Sequence, residues 1–212
     1  MPSDKSLFFY GSIYHRILDP QLAEAHQVAA NLITEGSAVL DIACGTGQFS
    51  LAVRRQKQCR VVGLDLSLRM LEFARKSNPF HNVTFVHEDA TDLGVFDDHS
   101  FDYAAILFLM HELPMQQRVL VLKKALRVSK RVIIIDSVAP LPKNAGGIGI
   151  RIVEATFGRD HNPNFKAFLA TGGIRAVLQE SGLPISIESS SIFWRDCREV
   201  LLVSSSVGRL HV

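Results

Sequence analysis

Residues 39–53 read VLDIACGTGQFSLAV, and the fold of the chain is decided there. An apolar run from Ala38 to Ile42 meets the sequence CGTG at once, and a helical period begins at Phe49 and continues to Val53. A strand that passes through a glycine turn straight into a helix is the opening of a βα unit. Gly45 and Gly47 let the backbone turn sharply and approach a ligand closely, while the amides that start the next helix face an anionic group.

Working outward from that unit, the same alternation repeats. Upstream, Asp19-Pro20 reads as an N-cap followed by proline at the first helical position, and Leu22, Ala25, Val28, Ala29 and Leu32 continue one apolar face. Downstream, Arg60 to Leu64 is a second strand, and Ser67 caps a helix carrying Met70, Leu71 and Ala74. Val83 to Val86 is a third strand followed by an acidic loop, and Phe101 to Leu109 is a fourth. Pro114 opens a helix through Leu126, and Val132 to Ile135 is a fifth strand. Five strands separated by helices, several of them apolar on both faces, predict a parallel sheet covered by helices on each side.

Beyond Asp136 the pattern breaks into Pro, Gly and mixed residues through Pro163. A helical stretch then runs from Phe165 to Leu183, interrupted by Gly172-Gly173. Two strands, about Ile185 to Trp194 and Glu199 to Ser204, close the sequence as an antiparallel hairpin.

Composition narrows the function classes. The 212 residues are 47% apolar and 21% charged, the balance of one ordinary globular domain. A formal charge of +2 with dispersed Lys and Arg gives no push toward nucleic acid, and the densest basic run, Lys123 to Arg131, falls at a helix end where cations complement the dipole. Cys44, Cys59 and Cys197 are too scattered for a disulfide framework or a zinc site, and no signal pattern opens the chain, so a cytoplasmic location is expected. The longest apolar run, Tyr103 to Met110, is far short of the roughly 20 residues that cross a bilayer and reads as a buried strand.

The carboxylates select the ligand. Asp65 ends the second strand about twenty residues after the glycine loop, where a carboxylate accepts hydrogen bonds from a ribose diol. That feature suits a nicotinamide cofactor equally well. Asp41 discriminates, because it stands just before the loop, where a pyrophosphate would lie. Two unit charges about 4 Å apart repel by roughly 1 kcal/mol in water and roughly 4 kcal/mol at an effective dielectric near 20. S-adenosylmethionine has no phosphate and presents an ammonium group, which an aspartate attracts. Ser50 also occupies the place where a dinucleotide fingerprint calls for a third small residue for close helix packing.

These motifs resemble those of the class I S-adenosylmethionine-dependent methyltransferases, particularly the branch of the ubiquinone and menaquinone methyltransferases. DIACGTG at Asp41 to Gly47 is similar to the family's D-x-G-x-G-x-G loop, with Ala43 in place of the first glycine and Cys44 beside it. VVGLDLS resembles the second motif, which implies Asp65 on the ribose hydroxyls and Leu66 beside the adenine. HEDATDL resembles the third, which implies Asp89 on the adenine amino group and the amide of Ala90 at the ring. SFDYAAILFLMHELP resembles the fourth-strand motif, whose tip at Leu107 and Phe108 lies beside the methionine end of the cofactor.

The resemblance covers about Gly36 to Asp136. It implies a Rossmann-like three-layer α/β sandwich with a seven-stranded, mostly parallel sheet and an antiparallel last strand. One methyltransferase domain is expected, with a helical lid at 1–35, a cofactor half at 36–138 and a substrate-side insertion and hairpin at 139–212. It implies transfer of a methyl group from S-adenosylmethionine, leaving S-adenosylhomocysteine, to a small acceptor, aromatic or lipid-like, through O, C or N. The N-P-P-[YF] signature of enzymes acting on amide or base nitrogens is absent after the fourth strand.

His111 and Glu112 follow the fourth strand and are candidate bases, against plain wall and helix-start roles. A base is required only where the acceptor arrives protonated. Tyr10, Tyr14 and His15 are candidate lid residues, and Arg151 and His161 candidate lining of the acceptor pocket. Two other readings stay open at this stage: a non-catalytic binding or assembly protein on the same fold, and an NAD(P)-dependent oxidoreductase.

Overall fold

The computed structural model describes residues 19–156 and 161–206. Strands β1 (Ala38–Ile42), β2 (Arg60–Asp65), β3 (Val83–His87), β4 (Phe101–Leu107), β5 (Ser129–Ser137), β6 (Ile185–Phe193) and β7 (Arg198–Ser205) form one sheet in the order β3-β2-β1-β4-β5-β7-β6. The first five are parallel, and β7 runs antiparallel to both β5 and β6. The expected seven-stranded, mostly parallel sheet is therefore what the chain forms.

Alternation along the strands places helices on both faces. Leu40, Ile42, Ala104, Ile106, Val132 and Ile134 pack on one side with α4 (Met115–Val128) and α7 (Gly173–Glu180). Val39, Val61, Tyr103, Ala105, Ile133 and Ile135 pack on the other with α1 (Asp19–Asn31), α2 (Gln48–Lys57) and α3 (Leu68–Ser77). Each buried Val, Leu or Ile side chain in these layers contributes about 1.5–3 kcal/mol by leaving water. Asp41 shares the parity of Val39 and so faces the α1–α2 side.

Chain order leaves β1 toward β2 on one side and toward β4 on the other. The crevice at the carboxyl ends of β1 and β4 is thus a topological switch point, where open α/β sheets bind ligands.

Two differences from the sequence reading concern element ends. β4 stops at Leu107, because Phe108 turns to a left-handed φ of 60° and the chain enters a 3-10 turn at Met110–Glu112. β5 begins at Ser129, earlier than its apolar run, because it follows the register of β4, with Phe101 opposite Ser129. The helical stretch expected from Phe165 begins earlier, at His161, and is two helices, α6 (His161–Thr171) and α7, parted at Gly172, which like Gly173 has positive φ.

The larger correction is α5 (Ala145–Thr156), a helix inside the stretch read as irregular. Gly146, Gly147 and Gly149 weaken its intrinsic propensity by about 1 kcal/mol each, which hides it from sequence. Packing overrides propensity here. A Cβ on Gly146 would come within 2.9 Å of Cys197 Sγ, and one on Gly147 would overlap the Pro142 carbonyl, so glycine is what lets this helix lie against the chain. Among the described residues no helix is long and apolar enough to cross a membrane.

Candidate cofactor and acceptor site

The loop after β1 is built from alternating left-handed residues: Ala43 at φ 59°, Gly45 at 53° and Gly47 at 76°. The Cys44 amide donates to Leu64 O at 2.8 Å, tying the loop to β2, and the Gly47 amide donates to Cys44 O at 2.9 Å, closing the turn. A Cβ at Gly47 would strike the Phe85 ring at 2.5 Å, whereas one at Gly45 would meet nothing within 4 Å. One glycine serves packing and the other keeps open space. The helix that follows has no side-chain cap, so its first amides remain available to a ligand.

Asp41 is 2% exposed, and its Oδ2 accepts the Ser50 hydroxyl proton at 2.6 Å. Burial pushes its pKa up, the Ser50 bond opposes that, the charge of Asp65 adds to it, and the result is about 7. The carboxylate lines a hollow of about 60 Å³ with Ala43, Gly45, Phe49, Leu107 and Phe108. A group half-ionised near neutrality beside a small cavity is suited to an incoming cation.

Asp65 accepts the Gly45 amide on Oδ2 and the Ser67 amide on Oδ1, each at 2.8 Å. Burial raises its pKa, with the two amides opposing. The residue read as a ribose partner therefore also ties the glycine loop to β2 and helps start α3. Beside it Leu66 is 66% exposed and Leu68 54%, an apolar shelf left uncovered at the end of β2. Asp89 Oδ1 accepts the amide and the hydroxyl of Thr91, at 2.8 and 2.7 Å, so it caps its turn while staying exposed; Ala90 follows it, half-buried. Burial, with Asp41 and Asp65 nearby, raises the Cys44 thiol far above its usual range, and the residue acts as packing in the loop.

Past β4, the Phe108 amide donates to Ile135 O at 2.8 Å and turns the chain into the 3-10 segment. His111 is buried there. Its backbone amide donates to Asp136 Oδ2 at 3.1 Å, and its Nδ1 donates to Asp136 Oδ1 at 2.7 Å. Its Nε2 stands 3.7 Å from the Glu154 carboxylate, and the ring meets the edge of Phe165 with centroids 5.6 Å apart. Burial alone would lower the His111 pKa, but the charge and hydrogen bond of Asp136, then Glu154 and Glu112, outweigh it and raise it to about 9. Burial likewise works to raise Asp136, but His111 holds it below the usual carboxylate range. At neutral pH the pair is an imidazolium and a carboxylate.

Arg118 anchors this corner. Fully buried, it donates Nε to Met110 O and a terminal nitrogen to Asn164 O, both at 2.8 Å, and lies over the Phe168 ring. Asn164 returns a bond to Glu112 O at 2.7 Å. The Glu112 side chain is exposed.

Asp136, Glu154 and Arg118 are residues that sequence reasoning misses, and Ser50 enters there only as a packing position. Arg118 alone left a signal: it occupies the first position of an apolar stripe with Val121, Leu122 and Ala125. Arg151, expected at the acceptor pocket, instead turns its guanidinium to the carbonyls of Leu141, Pro142 and Gly147 at the start of its own helix. Tyr10, Tyr14 and His15 lie outside the described residues, as does the side chain of His161.

Comparison with known proteins follows the same geography. Residues 39–131 match a family model described as a methyltransferase domain. A demethylmenaquinone methyltransferase of Staphylococcus epidermidis is 37% identical over 92 residues, covering 42% of this chain and 38% of that protein. One from Listeria welshimeri is 31% identical over 145 residues, covering 64% of this chain and 61% of its own length. The chain thus spans less than two thirds of the length of these curated relatives. A crystal structure of a SAM-dependent methyltransferase from Aquifex aeolicus superposes with a TM-score of 0.64 at 17% identity, over 91% of this chain and 97% of that one, a likeness of fold.

Proposed function

We propose that this chain, whose residues 39–131 match a methyltransferase domain, binds S-adenosylmethionine in the class I manner and transfers its methyl group to a small acceptor carrying a hydroxylated aromatic or quinol-type ring. The single observation that carries the cofactor assignment is Asp41, a carboxylate 2% exposed at the wall of the hollow beyond β1. A phosphate brought there would be repelled. An ammonium group is attracted.

The residues present fit the group. Asp41 holds the ammonium, Asp65 the ribose hydroxyls and Leu66 the adenine face, with Asp89 and the Ala90 amide at the adenine edge. Leu107 and Phe108 wall the methionine side. When bound, S-adenosylmethionine supplies a methyl group activated by its sulfonium. The chain's own work is then to hold the acceptor in line, exclude water and manage its proton. His111, three residues beyond Phe108, is the side chain we assign to the acceptor oxygen; exposed Glu112 has the weaker claim.

The acceptor class rests on the names of the relatives above, and the modest charge of +2 supports a small molecule over a nucleic acid. The test is calorimetric titration of S-adenosylmethionine, S-adenosylhomocysteine and NAD, repeated with Asp65→Ala, followed by transfer of labelled methyl to naphthohydroquinone. The expected result is micromolar binding of the first two ligands, weakened in the variant, and label in an organic-soluble product. Binding of NAD alone overturns the reading.

A further inference from the structure

Among the described residues, His111 has no open approach. It is 5% exposed, with Asp136 on Nδ1, Glu154 facing Nε2 and the rings of Phe165 and Phe168 at its sides. The two carboxylates come from different kinds of element. Asp136 is 0% exposed in the central sheet, and its oxygens also accept the amides of His111 and Ser137. Glu154 rides near the far end of α5, the glycine-weakened helix.

That helix is held unevenly. Its first half is pinned: Asn144 donates to Arg195 O and accepts the Gly147 amide, and Ile150 joins the small cluster of Leu141, Phe165 and Cys197. Its outer face carries Ile148 and Ile152, 53% and 63% exposed. In its last turns Glu154 is the residue turned inward, 7% exposed, amid exposed Ile152, Val153 and Ala155.

We propose that Glu154 is a latch that closes α5 over His111, and that an acceptor reaches the imidazole Nε2 only by taking the place of the Glu154 carboxylate. The group presented there is accordingly the anion of an acidic hydroxyl, which has given its proton to solvent and pairs with the imidazolium as Glu154 does. This deepens the methyl-transfer reading and rests on it for the role of His111. Asp136 is the fixed partner that keeps the ring oriented while the latch opens.

Among the described residues, the charged groups around the ring include Asp136 on β5, Glu154 on α5 and Glu112 on its own turn; Arg118 on α4 and Arg198 on β7 act on Asp136. With Glu154 displaced and no anion in its place, the imidazolium loses one of its two carboxylate partners and gives up its proton more readily.

The experiment is NMR on the full chain, without cofactor or acceptor. The His111 imidazole is titrated, and amide exchange is read along α5 at neutral pH, in wild type and Glu154→Gln. In the variant, the His111 titration midpoint falls while its Nδ1 proton stays bonded to Asp136, and exchange at residues 150–155 speeds about tenfold with β5 unchanged. In wild type the same segment loosens selectively, after correction for intrinsic rates, as pH passes the His111 midpoint. This arm holds even if the variant folds poorly. An unchanged midpoint with unchanged α5 exchange overturns the latch, and so does loosening spread equally over β5 and α4. Because neither readout involves S-adenosylmethionine, the latch can fail without the cofactor reading, and the reverse. In a last arm, 2-naphthol with S-adenosylhomocysteine binds Glu154→Gln several-fold tighter than wild type; equal binding overturns the displacement.

Discussion

Ser50 donates its hydroxyl proton to Asp41 across 2.6 Å, with both groups buried. This bond opposes the burial that raises Asp41 and leaves the carboxylate titrating near pH 7. A group poised there would link binding of the proposed ammonium ligand to the proton. In the free protein at pH 6 Asp41 is mostly protonated, and an ammonium ligand drives it to ionise.

Titration of S-adenosylhomocysteine at pH 6 is therefore expected to release close to one proton, read from the heat difference between two buffers of unlike ionisation enthalpy. Affinity rises as pH increases through 7 and then levels. Asp41→Asn abolishes the release and weakens binding; Ser50→Ala moves the midpoint upward. Equal proton release in wild type and Asp41→Asn would remove Asp41 from the site. In the unliganded chain the sign is opposite for stability. A folded-state pKa raised from about 4 to 7 favours folding below pH 4, by roughly 4 kcal/mol relative to pH above 7, and that contribution is lost between the two.

What was legible in the sequence lies within one contiguous reach. Asp41, Gly45, Gly47 and Asp65 fall at the spacing of a single β-loop-α-β unit, so local periodicity places them together. The His111 cluster is assembled by topology instead: β4 and β5 run side by side, so His111 and Asp136, 25 residues apart, share two hydrogen bonds. Glu154 arrives from a helix whose glycines argue against a helix at all. Ser50 was read for its size, as a packing position, because nothing in its spacing shows that its hydroxyl points at Asp41.

Ala43 gives a cleaner test of the loop. It holds φ 59° where glycine is the usual solution, and a left-handed L-residue costs about 1–2 kcal/mol. Ala43→Gly removes that cost and adds back about 0.4–1 kcal/mol of unfolded-state entropy. The expected net is a gain of about 0.5–1 kcal/mol in urea unfolding. A loss of stability would mean that the Ala43 methyl packs for more than its backbone costs.

The His111–Asp136 pair predicts a second pH window, separate from that of Asp41. Its folded-state pKa of about 9 lies above the unfolded value near 6.5, so its stabilisation is complete below pH 6.5 and lost as pH rises to 9. The difference is about 3 kcal/mol, most of it carried by a pair in which both partners are buried. Asp136→Asn flattens this slope. It also destabilises the chain at pH 7 by about 3–5 kcal/mol, since it strands a charge beside Glu154. Urea unfolding at pH 6, 7.5 and 9 reads both effects, and parallel pH profiles for wild type and variant would place the ionisation elsewhere.

Gly45 and Gly47 separate binding from folding within a three-residue span. Both have positive φ, so alanine at either carries the left-handed cost of about 1–2 kcal/mol. At Gly47 the new methyl also meets Phe85 Cζ at 2.5 Å and Ala74 Cβ at 3.0 Å, in a packed layer that gives way at about 1–3 kcal/mol more. At Gly45 it meets nothing within 4 Å and projects into the open space where the proposed cofactor would approach the loop. Gly47→Ala is expected to lose stability by about 2–5 kcal/mol. Gly45→Ala is expected to lose only the left-handed cost of about 1–2 kcal/mol and to lose tenfold or more in S-adenosylhomocysteine affinity. Were Gly45→Ala to bind normally, the loop would still be a turn required by the fold, but the cofactor would have to lie away from it.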